Sequence, residues 1–418
     1  MTELGFIPKE WEVVKIEDIG KVITGNTPPK KQKEYWTNGE INFIKPPDLQ
    51  NGSIITFSEK ISKKAENVAR ITIKGSVLVS CIGILGRVGY TKNKVAFNQQ
   101  INAVEPNIDI NGLFLFYALQ NQQYQIENLA SFTTVPIVSK AKFTKVKIPL
   151  PPLHEQKKIA GVLSAAQEAK EKTEEVIKAA KELKKSLLKH LFTYGPVSIE
   201  EAENVKLKET EIGMMPEDWK DSIINKVIEK ANHKNPKKDP FKTFRYVDVS
   251  SIDRESLKIT EYKNYKGKDA PSRARKNIEK DDIIFATVRP TLKRISIIDE
   301  NFSGEICSTA FCVLRAKKDT IDPRYLFYYV QRDVFMKKLG KIQRGASYPA
   351  VTDSDIKNLK ISLPPISIQK EIANTIFAID QKIQAEENKK KALEELFKSL
   401  LNNLMTGKIR VNNLDLEL

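Results

Sequence analysis

Few residues of this 418-residue chain have the types and spacing that catalysis requires. Its three histidines, His154, His190 and His233, are scattered and do not have the spacing of metal ligands. The three cysteines contain no Cys-x-x-Cys pair and cannot form a disulfide framework, so we expect free thiols in a reducing cytosol. No Gly-x-x-x-x-Gly-Lys-Ser/Thr sequence occurs, so no Walker A nucleotide site is predicted. These features favour a function without catalysis.

Two short motifs have some features of functional sites but lack the residues that such sites require. Gly83, Gly86 and Gly89 follow a strand-like run, but their spacing is not that of a dinucleotide-binding loop, so a turn is predicted. The segment 45–48, Lys-Pro-Pro-Asp, is superficially similar to the Asn/Asp-Pro-Pro-Tyr loop of adenine methyltransferases. It has lysine where the amine-binding residue belongs and aspartate where the stacking aromatic belongs. No Glu/Asp-x-Lys lies at a useful distance from it, so a nuclease metal site is not predicted either.

The chemistry that remains is that of nucleic-acid binding. Lysine, asparagine and threonine side chains hold phosphates, asparagine or glutamine pairs with adenine edges, and arginine reads guanine. Only Arg70 and Arg87 lie in the first half, whereas residues 201–362 contain ten arginines. The predicted DNA contacts are Asn26, Thr27, Lys30, Lys31, Lys33, Asn98, Gln99 and Gln100 in the first half, and Lys234, Lys237, Lys238, Arg273, Arg275, Arg289, Arg294 and Arg344 in the second. For any one of them, solvated loop charge is the alternative.

The charge is distributed in a way that supports this interpretation. The chain has 69 Lys+Arg against 53 Asp+Glu, a formal charge of +16. Residues 1–150 carry a net +6 and residues 201–362 a net +8, whereas residues 151–200 and 363–418 carry +2 and 0. Two basic lobes joined by nearly neutral segments indicate two contacts with one polyanion. No secretory signal or membrane-spanning stretch is predicted, since the apolar runs are short.

The elements that position these residues occur twice. The matching segments are Pro8/Trp11 with Pro216/Trp219, Leu115-Phe116-Tyr117 with Leu326-Phe327-Tyr328, and Pro151-Pro152 with Pro364-Pro365. The offset stays between 208 and 213 residues, which indicates a duplication with small loop insertions. Each half is predicted to begin with a mixed part, with strands near 76–82 and 282–287 and one helix over 112–129 or 324–339. Each then continues as a long helix, over 155–192 or 368–405.

The two long helices have apolar residues at alternating spacings of three and four, which is typical of a coiled-coil seam. The predicted seam residues are Ile159, Val162, Ala166, Val176, Leu183 and Leu187 in the first helix, and Ile372, Ile376, Ile379, Ile383, Leu393, Leu400 and Leu404 in the second. Packing the two helices against each other would bury both seams. The alternative is that each helix packs only on its own lobe.

Together these features resemble the specificity subunits of Type I restriction-modification systems. The resemblance lies in the Pro-x-x-Trp openings, in the Pro-Pro segments, and in Gln156, Ile159 and Ala160 with their counterparts Gln369, Ile372 and Ala373. It implies an α+β fold with a pseudo-two-fold internal repeat, in which two mixed α/β target-recognition lobes are separated by an antiparallel coiled coil. The expected domains are 1–152 and 196–365 for the lobes, with 153–195 for the first spacer helix and 366–418 for the second helix and tail.

The resemblance also implies a function and partners. Each lobe would read one half of a bipartite duplex, and the coiled coil would set the half-site spacing and help to dock the partner subunits. Those partners would be two methyltransferase subunits and, in the cleaving complex, restriction subunits. S-adenosylmethionine, ATP and Mg²⁺ would bind to these partners, with no cofactor or metal on this chain, in the cytoplasm. A coiled-coil scaffold that binds DNA nonspecifically, and a standalone methyltransferase or nuclease with unrecognised motifs, are the alternatives.

Overall fold

The computed structural model describes residues 7–50, 59–132 and 134–411. The chain divides into two compact units, Met1–Glu175 with Glu386–Leu418, and Val176–Ala385. Each unit therefore combines one mixed lobe with a part of each long helix. The outer limits of the expected domains, at residues 1 and 418, lie outside the described residues.

The first unit is built from short strands and helices that lead into one long helix. Its strands are β1 (Glu12–Lys15), β2 (Gly20–Thr24), β3 (Ile41–Ile44), β4 (Glu59–Ile61), β5 (Ile71–Thr72), β6 (Val77–Ser80), β7 (Val88–Tyr90), β8 (Val95–Phe97), β9 (Ile101–Pro106), β10 (Ser131–Phe132), β11 (Pro136–Ile137) and β12 (Lys147–Leu150). Its helices are α1 (Ile16–Ile19), α2 (Gly112–Asn121), α3 (Gln123–Asn128), α4 (Lys140–Phe143) and the first part of α5 (Leu153–Tyr194).

Two four-stranded sheets form the first lobe, in the orders β2-β9-β6-β7 and β4-β3-β8-β5. The first is antiparallel throughout, whereas β3 and β8 in the second run parallel. β1 pairs antiparallel with β12, from Glu12 opposite Leu150 to Lys15 opposite Lys147. This last pair joins the beginning of the described chain to the residues that directly precede α5.

The second unit repeats the arrangement. Its strands are β13 (Leu207–Thr210), β14 (Gly213–Pro216), β15 (Lys220–Ile223), β16 (Ile228–Glu229), β17 (Thr243–Val247), β18 (Lys263–Lys266), β19 (Ala274–Asn277), β20 (Ile283–Ala286), β21 (Ile295–Ile297), β22 (Ile306–Ser308), β23 (Phe311–Ala316) and β24 (Lys360–Leu363). Its helices are α6 (Ile224–Val227), α7 (Pro323–Tyr329), α8 (Asp333–Ile342), α9 (Asp353–Lys357), the end of α5 and the beginning of α10 (Ile366–Met405).

The sheets of the second lobe have the strand orders β16-β23-β20-β21 and β18-β17-β22-β19. The parallel pair recurs between β17 and β22, and β15 pairs with β24 just before α10 as β1 pairs with β12 just before α5. Two lobes with the same strand order and the same pattern of parallel and antiparallel pairs confirm the duplication that the sequence predicts.

The middle strands read as continuous apolar runs because both of their faces are buried. In β6, Val77 and Val79 face the core that contains α2, while Leu78 faces the core that contains Phe97. In β20, Ile283 and Phe285 face the helical core, and Ile284 and Ala286 face the opposite one. The strands that the sequence predicts near 76–82 and 282–287 are therefore the centres of their sheets.

Each long helix begins directly after a Pro-Pro pair, and a buried glutamine connects its first turn to the lobe. Gln156 Oε1 accepts a hydrogen bond from the Asn111 backbone N–H at 2.8 Å, and its Nε2 donates to the Pro151 carbonyl at 3.0 Å. Gln369 does the same with Asp322 at 2.9 Å and Pro364 at 2.9 Å. This duplicated bond explains why a glutamine recurs at the same place in both halves.

In each unit the two helix parts run antiparallel. In the first unit, Glu174 of α5 pairs with Lys390 of α10, whereas Tyr117 of α2 contacts both Ser164 of α5 and Phe397 of α10. Residue numbers therefore rise along α10 as they fall along α5. In the second unit, Lys184 pairs with Asp380, and Phe192 shares a core with Ile372. Each helix part packs on its lobe as well as on the other helix. No helix in the described part of the chain is long and apolar enough to cross a membrane.

Two sequence-based expectations need correction. Val176 and Leu183, predicted as seam residues, are 42% and 49% exposed, whereas Ile177 is 8% exposed and lies in the interior. The single helices predicted over 112–129 and 324–339 are each two helices, because the helical conformation is interrupted between α2 and α3 and between α7 and α8. Of the other predicted seam residues, Ile159, Ile372, Ile376, Ile383 and Leu404 are buried. Those that are half-buried are Val162, Ala166, Leu187, Ile379, Leu393 and Leu400.

Candidate nucleic-acid interface

The first lobe brings two of the predicted DNA-binding segments together. The Asn26 backbone N–H donates to the Phe97 carbonyl at 3.0 Å, and Thr27 Oγ1 donates to Gln99 Oε1 at 2.7 Å. Asn98 is 7% exposed, and its side chain is occupied by two bonds to Gln100. Gln99 is exposed at the edge of this polar cluster, whereas the Asn98 side chain stabilises the turn.

The three lysines of the first loop are exposed, and one of them has protein partners. Lys30 lies with its Nζ 5.3 Å from the centroid of the Trp36 ring and 3.7 Å from Glu59. Glu59 also bonds to Lys45, and this bond, with the nearby lysine charges, lowers the pKa of the Glu59 carboxyl. Lys31 and Lys33 extend into solvent beside it. The loop therefore presents a cationic surface whose base is fixed by Glu59.

In the second lobe, the lysine loop lies beside β19. The Lys234 backbone N–H donates to the Arg275 carbonyl at 2.9 Å. Two residues before Arg275, the Arg273 carbonyl accepts a hydrogen bond from the Thr309 backbone N–H. Lys237 and Lys238 are exposed in a short turn that Asn235 caps. The structure thus groups five of the predicted contacts, Lys234, Lys237, Lys238, Arg273 and Arg275, around one strand.

Two predicted base-reading arginines are bound within the protein. Arg294 Nη1 donates to the carbonyls of Val249 and Ile252, each at 2.7 Å. Arg344 forms two bonds to the Asp355 carboxylate, at 2.9 and 3.2 Å. These bonds occupy donors of both guanidinium groups, so their visible use is to fix loops rather than to read bases.

A cleft in the second lobe is lined by three tyrosines that the sequence does not predict as DNA contacts. The cleft has a volume of about 640 Å³, and Tyr246, Tyr262 and Tyr265 line it together with Asp248 and Arg273. Burial raises the pKa of the Tyr246 hydroxyl still further above neutral pH. The sequence does contain a signal for Tyr262 and Tyr265, since they lie in a basic stretch. Aromatic rings among cationic residues are typical of nucleic-acid surfaces.

The cysteines are buried thiols. Burial raises the pKa of Cys81 and Cys312 to about 12, and it raises the pKa of Cys307 as well. Cys81 additionally accepts a bond from Asn102. At neutral pH such a thiol is protonated, which is its unreactive form. Within the described residues, no group of three or more His, Cys, Asp or Glu side chains could hold a metal ion. Gly83 and Gly86, both with positive φ, lie in the turn between β6 and β7 as predicted, whereas Gly89 lies within β7.

A duplicated basic lobe with exposed lysine, amide and arginine loops, carried on two long helices, is the architecture of a protein that recognises DNA at two places. The sequence model of the Type I restriction modification DNA specificity domain matches the chain twice, over residues 8–181 and 216–395. The chain belongs to this family, as a Type I restriction-modification specificity subunit with two DNA-recognition domains.

Similar proteins extend over almost the whole chain. The Type I restriction enzyme MjaVIII specificity subunit of Methanocaldococcus jannaschii is 28% identical, over 98% of this chain and 95% of its own length. The MjaIX specificity subunit of the same organism is 27% identical, over 99% and 96%. The crystal structure of the Type-I restriction-modification system S subunit from M. genitalium covers 97% of this chain and 98% of its own, with a TM-score of 0.62 at 17% identity. That structure has the same fold.

Proposed function

We propose that this chain is the non-catalytic recognition subunit of a Type I restriction-modification complex, and that each lobe reads one half of a bipartite DNA target. The observation that carries this proposal is the duplication itself. The two lobes share strand order, yet they present different side chains: lysine and amide groups in the first, and lysine and arginine groups in the second. Two copies of one scaffold with different reading groups suit two half-sites of different sequence.

The long helices would fix the distance between the half-sites. α5 has 42 residues, which at 1.5 Å per residue corresponds to about 63 Å. α10 has 40 residues, and two helices of nearly equal length that run antiparallel in each unit would form a stiff spacer. They would also help to dock two methyltransferase subunits and, in the cleaving complex, the restriction subunits. S-adenosylmethionine, ATP and Mg²⁺ would bind to those partner subunits, and the complex would work in the cytoplasm.

A lobe exchange tests this proposal. Residues 1–150 are replaced by the first lobe of another specificity subunit, with Trp11 and Tyr117 retained because they lie in the core that α10 completes. The chimaera is assembled with its methyltransferase subunits and its methylated sites are sequenced. One half-site should change while the other half-site and the gap stay the same. Loss or change of both half-sites together would contradict independent reading by the lobes.

Binding at several salt concentrations separates this function from that of a scaffold with nonspecific DNA affinity. The complex is titrated with the target duplex and with a shuffled duplex of the same composition. Phosphate contacts weaken equally for both duplexes as salt rises, whereas base contacts keep a preference for the target. Equal affinities at every salt concentration would favour the scaffold. Methyl transfer by the isolated chain would favour an enzyme.

A further inference from the structure

The turn after β20 contains an arginine in a backbone conformation that favours glycine. Arg289 has φ 48° and ψ 56°, in the left-handed region. The corresponding residue of the first lobe is Gly83, with φ 78°. The correspondence follows from the hydrogen bonds: the Gly83 N–H donates to the Pro136 carbonyl at 3.0 Å, and the Arg289 N–H donates to the Pro349 carbonyl at 2.7 Å.

A residue with a Cβ is strained in this region, whereas glycine adopts it freely. The first lobe shows that glycine satisfies the same turn. An arginine retained in a strained conformation at a position where glycine fits is an observation that points to use of its side chain.

The Arg289 side chain is held in place by an exposed aromatic ring. Its guanidinium carbon lies 4.8 Å from the centroid of the Tyr348 ring, and Nη2 donates to the Ser347 carbonyl at 3.4 Å. Tyr348 is 70% exposed, and Arg289 is exposed as well. Of the residues that the structure describes, no carboxylate forms an ion pair with Arg289. The guanidinium thus lies over an exposed ring at the surface of the lobe.

The loop that contains Tyr348 is fixed at its base. Arg344 and Ala350 exchange two backbone hydrogen bonds of 2.9 Å, and the Asp355 carboxylate holds the Arg344 guanidinium. Ala350 also bridges to Val288, the neighbour of Arg289. Both partners of the pair therefore stand on one hydrogen-bonded frame, which would lower the entropy that Arg289 loses on binding.

The first lobe has neither partner of this pair. Gly83 has no side chain, and a Cβ added to it would meet nothing within 4 Å. The residue that precedes Pro136, as Tyr348 precedes Pro349, is Val135. The turn is thus open in the first lobe and carries a preorganised arginine in the second, which is how lobes of different specificity would differ.

We propose that Arg289, stacked on Tyr348, reads a guanine in the half-site of the second lobe through two hydrogen bonds to its O6 and N7. The inference rests on the proposed function and assigns one reading position to one side chain. A planar guanidinium offers two parallel N–H groups that match these guanine acceptors, which a lysine ammonium cannot reproduce.

The test uses the full chain assembled with its methyltransferase subunits. Methylated sites are sequenced for the unaltered complex, for Arg289→Gly and for Arg289→Lys. One guanine of the second half-site should become degenerate in both variants, with discrimination at that position falling by about tenfold or more. The first half-site and the gap should stay unchanged, which shows that the complex is folded and assembled. Tyr348→Ala should relax the same position less strongly.

Arg254→Gly is the matched control, since it removes an exposed arginine from another loop of the same unit. Its motif should stay unchanged. An unaltered motif in both Arg289 variants would overturn the assignment, and so would relaxation at a position other than guanine. If Arg289→Gly abolishes all methylation, the methylated motif of Arg289→Lys decides whether the assignment holds. A different failure, in which the unaltered complex has no bipartite motif, would refute the proposed function instead.

Discussion

Removal of the Arg410 side chain should destabilise the first unit, because it leaves a buried carboxylate almost without partners. Glu155 lies in the first turn of α5, and its side chain is 1% exposed. It accepts bonds from Arg410 Nε at 2.9 Å and Nη2 at 3.2 Å, and from Trp11 Nε1 at 2.9 Å. Arg410 also pairs with Glu10 at 3.3 Å, and these acidic partners raise the pKa of its guanidinium.

The size of the effect follows from this burial. Loss of one partner from a buried ion pair costs about 3–5 kcal/mol. Arg410 is 33% exposed and Trp11 still donates to Glu155, so for Arg410→Ala we expect a smaller loss, about 2–3 kcal/mol. The free energy of unfolding is measured by urea denaturation and tryptophan fluorescence, since Trp11 and Trp36 lie in this unit. Lys64→Ala is the control, because Lys64 pairs with Glu34 on the surface.

A second substitution tests the cause. If an unpaired buried charge produces the loss, Glu155→Gln in the Arg410→Ala background should recover part of the stability, because glutamine is neutral and can still accept from Trp11. A loss below about 0.5 kcal/mol for Arg410→Ala, within the usual range of surface substitutions, would refute the reasoning. So would a double variant that is less stable than the single one.

Three further predictions concern the spacer, the second core and acid stability. Seven residues inserted in α5 after Glu175 and in α10 before Glu386 add about 10 Å, so the half-site gap should grow by about three base pairs; an unchanged gap on methylation sequencing would contradict the spacer function. Phe192 is fully buried against Tyr325, and Phe192→Ala should cost the second unit about 3–5 kcal/mol in urea denaturation, with a fully stable variant as the contrary result. Bonds from Thr352 and Arg344 lower the Asp355 pKa from 3.8 to about 2, so its stabilisation is complete above pH 4 and is lost as the pH falls through 2. Asp355→Asn should remove that dependence in unfolding measured from pH 5 to pH 2, and equal pH slopes for both proteins would contradict it.

Much of the fold could be predicted because its signals are local and repeated. Pro151-Pro152 and Pro364-Pro365 cannot continue a helix towards the N-terminus, and they mark the beginning of both long helices to within two residues. The central strands were recognisable because continuous apolar runs such as 283–286 occur where both faces are buried.

The seam of the coiled coil was less predictable. A heptad pattern assumes one partner, but each part of α5 packs against a lobe as well as against α10. Ala160 and Leu163 are therefore buried beside Ile159, on a face broader than a two-residue seam. Val176 and Leu183 keep the heptad spacing and are nevertheless exposed. Which face of a helix is buried depends on its surroundings, and the spacing does not contain that information.

The sequence predicts which types of residue form the candidate interface, but it identifies the individual residues only in part. Composition could identify the arginine-rich lobe, but it could not separate Arg344, bound to Asp355, from Arg289, stacked on Tyr348. That difference depends on partners 11 and 59 residues away along the chain. The paired loops of Asn26 and Gln99 likewise come together only through the sheets.

The central claim is that two lobes on one spacer read two half-sites. It is tested most directly by methylation-sensitive sequencing of the genome of a cell that contains this chain and its methyltransferase subunits, compared with a cell from which only this chain is deleted. We predict one bipartite methylated motif, with two different half-sites and a fixed gap, that disappears on deletion. A continuous motif, or a bipartite motif that persists without this chain, would contradict the claim.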